Sequence, residues 1–462
     1  MSRAIALTLA LSLPACSMAP DYARPTAPVP VSWPAGDAYL AQSEAAVPVM
    51  SYREIFRDQR LQSLVEQALV NNRDLRVAAA NLAAARAQVR VQRAEQLPQV
   101  GVVGGVDRVR SDGSTNTNYV LSGGITTFEL DLFGRLANAT EAERQRALAT
   151  EAAARTVRLG LVSDIATTWA TYATDAELLR IAEETAANAR RSVELTRARL
   201  KGGIAPRTDL RQAEQVLATA EGDVASLTTA LAQDVNLLQL LIGAPVDPAL
   251  LPASLDEVTA SIATLPAGLS SEVLLRRPDV LEAEYDLRAA NADIGVARAE
   301  MFPTISLTAL LGVASGALSG LFNSDAFSTT LGASGRYAIF SGGGAKANVH
   351  VSEARRDAAL AGYERSIQTA FREVSDALAR QGTIGEELRA ATANAAAAED
   401  NARLAEARYR GGVEGYLDNL VSQRAFYTAQ RQEAVTRLAL VQNRVTLYRT
   451  LGGDHASAPA AD

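Results

Sequence analysis

The stretch ARYRGGVEGYLDNL, residues 407–420, stops one long helical run and starts another. Its paired glycines, Gly411 and Gly412, suit the left-handed conformation that ends helices. Arg408 and Arg410 place positive charge at the negative end of the helix dipole. Behind it, residues 345–410 hold no proline and are rich in Ala, Leu, Arg, Glu and Gln, all strong helix formers. Ahead of it, residues 416–451 are again helix-forming and close on Leu451-Gly452. The same arrangement occurs at LKGGIAP, residues 200–206. This ends a proline-free run over 136–201 and opens a second helix over 207–241, closed by Ile242-Gly243. Within the first run Val157, Leu161, Ile165, Trp169, Tyr172, Ala176 and Leu179 step by three or four, which makes one apolar stripe. Unbroken, each long run would measure roughly 100 Å at 1.5 Å per residue. Each long helix should therefore turn tightly and run back along itself.

The two halves are a repeat. Arg199, Lys201, Gly202, Gly203, Ile204 and Asp209 match Arg408, Arg410, Gly411, Gly412, Val413 and Asp418, and Gly243 matches Gly452, all at an offset of 209. Ala94, Glu95 and Pro98 match Ala299, Glu300 and Pro303 at 205. A period this long means a duplicated domain, not a solenoid. Each half also carries a shorter helix, over 61–97 and 272–302.

Strand-like segments lie between the short and long helices. Residues 304–314 alternate, with Ile305, Leu307, Ala309, Leu311 and Val313 on one side. Residues 327–340 alternate more cleanly through Phe327, Thr329, Leu331, Ala333, Gly335, Tyr337 and Ile339. The first half offers 100–109 and 119–130, with SDGSTNTN (111–118) as a turn-forming loop, and SGALSGLFNSD (315–325) serves the second half. Strands of this length cross a bilayer when tilted. Four strands cannot close a barrel, and an open edge in lipid leaves backbone groups unpaired at several kcal/mol each. Strands that enter a membrane must therefore be pooled between copies.

The chain start reads as an export signal: Arg3, an apolar run over 4–13, then LPAC. Leu-x-Ala-Cys resembles a bacterial lipobox, which would make Cys16 the acylated first residue of the mature chain, and Ser17 after it suits outer-membrane sorting. Pro20, Pro25, Pro28, Pro30, Pro34 and Pro48 make the next segment an extended arm. Cys16 is the only cysteine, so there is no disulfide framework. The net charge of −7, with both signs interspersed, argues against nucleic acid as a partner. His350 and His455 lie far apart, and no metal-type spacing, phosphate loop or nucleophile elbow occurs, which points away from an enzyme, a cofactor or a metal. The organisation expected is a signal peptide over 1–15, a lipid-anchored arm over 16–60, a first repeat over 61–243, a linker over 244–271, a second repeat over 272–452 and a tail over 453–462.

Several stretches together resemble the TolC family of outer-membrane efflux proteins, in its lipoprotein drug-efflux branch: CSMAPDYARP (16–25), FRDQRLQSLVEQALVNNRDLRVA (56–78), FELDLFGRL (128–136), LRRPDVLEAE (275–284), ARAEMFPTISL (297–307) and ARYRGGVEGYLDNLVSQR (407–424). The resemblance implies a mainly α chain with a membrane β-barrel part. The assembly would be a homotrimer whose 12-stranded barrel, four strands per chain, stands on a long periplasmic α-helical barrel with a mixed equatorial region. It implies an exit duct in the outer membrane, served by a periplasmic adaptor protein and a proton-driven inner-membrane pump. The glycine turns, with Lys201, Gly202, Gly203, Arg410, Gly411 and Gly412, would be periplasmic tips that contact the adaptor. The gate would comprise Tyr416, Leu417, Asp418, Asp209, Thr208, Arg199 and Arg408, since Tyr416-Leu417 matches the family's constriction pair. Val421 stands where the family often has an acid, so Asp418 and Asp209 take that place. The charges equally suit solvated helix ends. A duct for protein secretion or metal efflux, a pore-free coiled-coil lipoprotein scaffold and a lipid-anchored hydrolase remain open beside this reading.

Overall fold

The structure is a computed structural model that describes residues 17–39, 51–264 and 271–453. Cys16, the signal segment and the tail beyond Gly453 lie outside the described residues. Two compact units form. One gathers Met1–Ala27, Ala79–Ala153 and Asp279–Ser366; the other gathers Pro28–Ala78, Ala154–Pro278 and Ile367–Asp462. In chain order the elements are α1 (Tyr52–Ile55), α2 (Gln59–Asn71), α3 (Arg73–Ala94), β1 (Gln99–Ser111), β2 (Ser114–Leu130), α4 (Arg135–Lys201), α5 (Arg207–Ile242), α6 (Leu255–Ser261), α7 (Pro278–Ala299), β3 (Thr304–Ser315), β4 (Phe327–Arg336), α8 (Gly344–Arg410) and α9 (Tyr416–Thr450). The two longest helices, α4 and α8, are 67 residues each, and both end at the expected paired glycines.

The first unit contains the sheet. Its four strands run in the order β1-β2-β3-β4, all antiparallel, so the two expected hairpins join through β2 and β3. The β2–β3 seam is close. A Cβ on Gly312 would stand 2.3 Å from the Leu121 carbonyl oxygen, and one on Gly124 2.2 Å from that of Ala309. Among the described residues, β1 and β4 each have a paired strand on one side only.

Five sequence expectations are corrected, four of them in the strands and short helices. The loop expected over 111–118 is a two-residue turn. Ser111 pairs with Ser114, and Asp112 (φ 48) and Gly113 (φ 80) supply the two positive φ angles that a type I′ hairpin requires. β4 ends at Arg336, not at residue 340, because its partner begins at Thr304 after Pro303, which has no N–H to donate. The helix expected over 61–97 is two helices. Asn72 between them is extended (φ −59, ψ 136); its Nδ2 donates to the Leu241 carbonyl at 2.7 Å, and its Oδ1 accepts from the Leu75 N–H at 2.9 Å. One asparagine thus satisfies an end carbonyl of α5 and caps α3. The helix expected over 272–302 begins as a 3₁₀ turn (Ser271–Arg276) and becomes α-helical only from Pro278.

In the second unit the arm is not wholly extended. Ser51 caps the single turn of α1, and Phe56 then bridges Ile262 in antiparallel fashion. Phe56 meets Tyr448 of α9 edge-on at 5.2 Å. Trp169, fully buried in α4, donates its Nε1–H to the Leu250 carbonyl at 3.0 Å. Arg277 is buried and ties the Thr450 carbonyl and the Glu373 carboxylate, each at 2.8 Å.

Candidate functional site

The glycine turns both lie in the second unit and share one geometry. In the first, the N–H of Ile204 donates to the carbonyl of Arg199 (2.9 Å) and that of Gly203 to Leu200 (3.0 Å). In the second, Val413 donates to Arg408 (2.9 Å) and Gly412 to Tyr409 (3.1 Å). These are paired Schellman caps, with Gly203 (φ 73) and Gly412 (φ 74) in the left-handed position. Gly202 and Gly411 complete the helix ends. Ile204 and Val413, which such caps often tuck against the helix, are exposed instead. Arg408 pairs with Glu414 at 2.8 Å across the second turn, and Arg410 pairs with Glu406 one helical turn back. Lys201 closes α4 as a basic last-turn residue beside Arg199.

Beside the turns the four helices enclose a small apolar cluster of Val193 (α4), Ala213 (α5), Tyr409 (α8), Tyr416 and Leu420 (α9). Tyr409 and Tyr416 are both buried and meet edge-on at 5.4 Å. The Arg199 guanidinium lies 4.4 Å from the centre of the Tyr409 ring. Burial first, and then the electrostatic influence of Tyr409 and Asp209, pushes the Tyr416 phenol up to about 12, so it stays neutral. Tyr409 carries a buried hydroxyl without a hydrogen-bond partner among the described residues.

The sequence-derived gate residues thus divide. Tyr416 is packed inside the cluster, whereas its neighbour Leu417 is 57% exposed. Asp209 and Asp418 occupy the first turns of α5 and α9, where they complement the helix dipoles. Thr208 Oγ1 donates to the Asp209 carboxylate at 3.4 Å. Tyr409 escaped the sequence-derived set, although the signal was available: it stands seven residues before Tyr416, with the glycine turn between them. Farther along, Tyr427 Oη donates to Asp223 at 2.7 Å and Arg431 pairs with the same carboxylate at 3.2 Å, which fastens α9 to α5. A cleft of about 420 Å³ opens between α4, α8 and α9, with Glu184, Arg191, Glu406, Tyr409, Phe426 and Tyr427 on its walls.

Farther from the turns along the same helices, Asp175 of α4 stands beside Asp234 of α5. Burial first, and then the charge of Asp175, pushes the Asp234 carboxyl up to about 6. The folded state holds this proton more tightly than the unfolded chain does. The associated stabilisation is therefore present at low pH and is lost as pH rises through about 6. Asp234→Asn should raise the melting temperature at alkaline pH by about a degree, screening by solvent keeping the effect small, and flatten its pH dependence. Calorimetry across that range checks this; a variant that keeps the parent's slope contradicts the pairing.

Residues 64–244 and 269–453 each match the family described as outer membrane efflux protein. The chain belongs to the outer membrane efflux protein family. It is 39% identical over 454 residues, 96% of each chain, to the solvent efflux pump outer membrane protein SrpC of Pseudomonas putida. It is 38% identical over 451 residues to the cation efflux system protein CusC of Escherichia coli K12, covering 96% of this chain and 98% of that one. The open-state crystal structure of the MtrE outer membrane channel of Neisseria gonorrhoeae matches with a TM-score of 0.80 at 33% identity, over 95% of this chain and 98% of that chain. The fold class is accordingly mainly α with a membrane β-barrel part, and the outer membrane is where such a chain works.

Proposed function

We propose that this chain is one third of an outer-membrane exit duct that conducts small solutes passively from a periplasmic adaptor and an inner-membrane pump. One observation carries the assembly: a single antiparallel sheet of four strands with two outer strands open to further pairing. In hydrocarbon those edges must be satisfied, and three copies supply the twelve strands of a closed barrel. α3 adds support, since it buries none of its 22 residues within one chain and leaves Val77 and Val91 exposed to a neighbour.

The glycine turns, with Lys201, Gly202, Gly203, Arg410, Gly411 and Gly412, are the periplasmic ends that receive the adaptor. The gate is Leu417 with Asp418, Asp209 and Thr208, held by the packed Tyr416 and by Arg199 and Arg408 behind it. Three copies place each exposed side chain three times around an axis, where apolar and acidic rings can obstruct or select. Cys16 carries the acyl chains that tether the arm, and the duct itself performs no chemistry. Cargo falls in the range of the relatives, whose names include solvent, toluene and antibiotic efflux pumps and a cation efflux system. Purified full-length protein added to planar bilayers should give stable conductance steps. A preparation that inserts and stays silent at all voltages contradicts a duct.

A further inference from the structure

Residues 17–24 are docked on the helices of the first unit. Ser17 Oγ donates to Asn138 Oδ1 of α4 at 2.8 Å, and Asn291 Nδ2 of α7 donates to the Pro20 carbonyl at 2.7 Å. The backbone passes so near α7 that a Cβ on Gly295 would stand 2.7 Å from the Ala19 nitrogen and 2.5 Å from Asn138 Nδ2. At the other end of the segment, Arg24 grips Glu284 of α7 with two prongs; Nε donates to Oε1 at 2.9 Å, and Nη2 takes Oε2. Tyr22 Oη donates to the same Oε1 at 3.4 Å, and the Arg288 guanidinium lies 4.9 Å from the centre of the Tyr22 ring while also pairing with Glu284. The Glu284 side chain is only 2% exposed.

A buried carboxylate is tolerated only when it is paired and hydrogen-bonded. Burial alone would raise the Glu284 pKa; Arg24 and Arg288 outweigh it and hold the carboxyl below its usual range. Arg288, on the same helix, already neutralises this charge. The second guanidinium comes from the arm, as does the phenol, so the site accommodates more arm than charge balance on α7 requires.

The place where this happens matters. α7 leads into β3, and α4 starts five residues after β2 ends. β2 and β3 are the central pair of the sheet. The arm therefore touches both helices at the root of that pair. We propose that residues 17–24 form a clasp, closed by the Arg24–Glu284 pair and seated over Gly295, that holds the helices at the root of β2 and β3 together.

Hydrogen exchange read by mass spectrometry, on the full-length protein in detergent, tests this. Glu284→Gln should raise exchange of the segment 17–24 about tenfold, a change worth about 1.4 kcal/mol, with a smaller rise over 135–142 and none over 416–450. Gly295→Ala should give the same result from the other end, by lifting Ala19. Arg24→Ala removes only the arm's partner and leaves Glu284 paired with Arg288. It should release 17–24 while residues 278–299 stay protected, and so it decides the matter should Glu284→Gln unfold α7. Parent-like protection of 17–24 in Arg24→Ala and Gly295→Ala would overturn the clasp.

Discussion

Replacing Tyr416 with alanine should raise single-channel conductance severalfold in planar bilayers. The ring is buried among Val193, Ala213, Tyr409 and Leu420, at the first residue of α9. Removing a buried aromatic side chain costs about 3–5 kcal/mol where the site cannot collapse. Here the loss falls on the turn of helix that carries Leu417 and Asp418. It also frees the Tyr409 edge on which Tyr416 rests, and with it the ring beneath Arg199. Tyr416→Phe keeps the apolar body and should conduct like the parent, since the phenol is neutral and its hydroxyl contributes little packing. Leu417→Ala, at an exposed position, should widen the path without loosening the helix, and its effect should be smaller. Parent-like conductance in Tyr416→Ala, with the protein inserted, would remove this cluster from the gate.

Gly312→Val should abolish assembly in the outer membrane. A side chain there meets the Leu121 carbonyl oxygen at 2.3 Å and the Ser122 Cα at 2.6 Å, both backbone atoms of β2 that cannot swing aside. Overpacking of this kind costs about 1–3 kcal/mol or more even in a forgiving core. In lipid the strands would also lose ladder hydrogen bonds, at several kcal/mol each. The β2–β3 seam joins the two repeat halves of the sheet, so its failure leaves two hairpins and no barrel segment. Gly332→Ala on β4 is the control, since the nearest atom to its Cβ, on Thr308, is 4.0 Å away. Outer-membrane fractions should contain the Gly332→Ala protein as an oligomer and lack the Gly312→Val protein. Equal amounts of both would show that the close seam is not required.

The long helices were legible because composition and punctuation agree there. Sixty-odd residues without proline, closed by two glycines and followed by a helix-forming run, allow little else, and the Schellman caps at Gly203 and Gly412 are the direct result. The strands were legible from their period of two, and the pooling of copies from the number of strands. What stayed hidden depends on partners distant in sequence. The break at Asn72 exists because an α5 carbonyl, 169 residues away, takes its side chain. β4 ends where β3 begins, a matter of register that alternation cannot express. The turn at Asp112-Gly113 was in principle readable, since Asp-Gly is a strong hairpin signal, but the polar residues after it looked like loop. At the site, motif resemblance pointed to Tyr416 and Leu417 without separating the packed side chain from the exposed one. The contact of Tyr416 with Tyr409, and the docking of residues 17–24 on Glu284, are properties of tertiary packing.

The central claim is that four strands per chain become a membrane barrel only by sharing edges among three copies. The mass of the purified protein in a mild detergent, with the detergent's share subtracted, tests it most directly. The account predicts three times the mass of one chain, in a single species that falls to one third on boiling. A stable single-chain species that keeps its four-stranded sheet under the same conditions would contradict it.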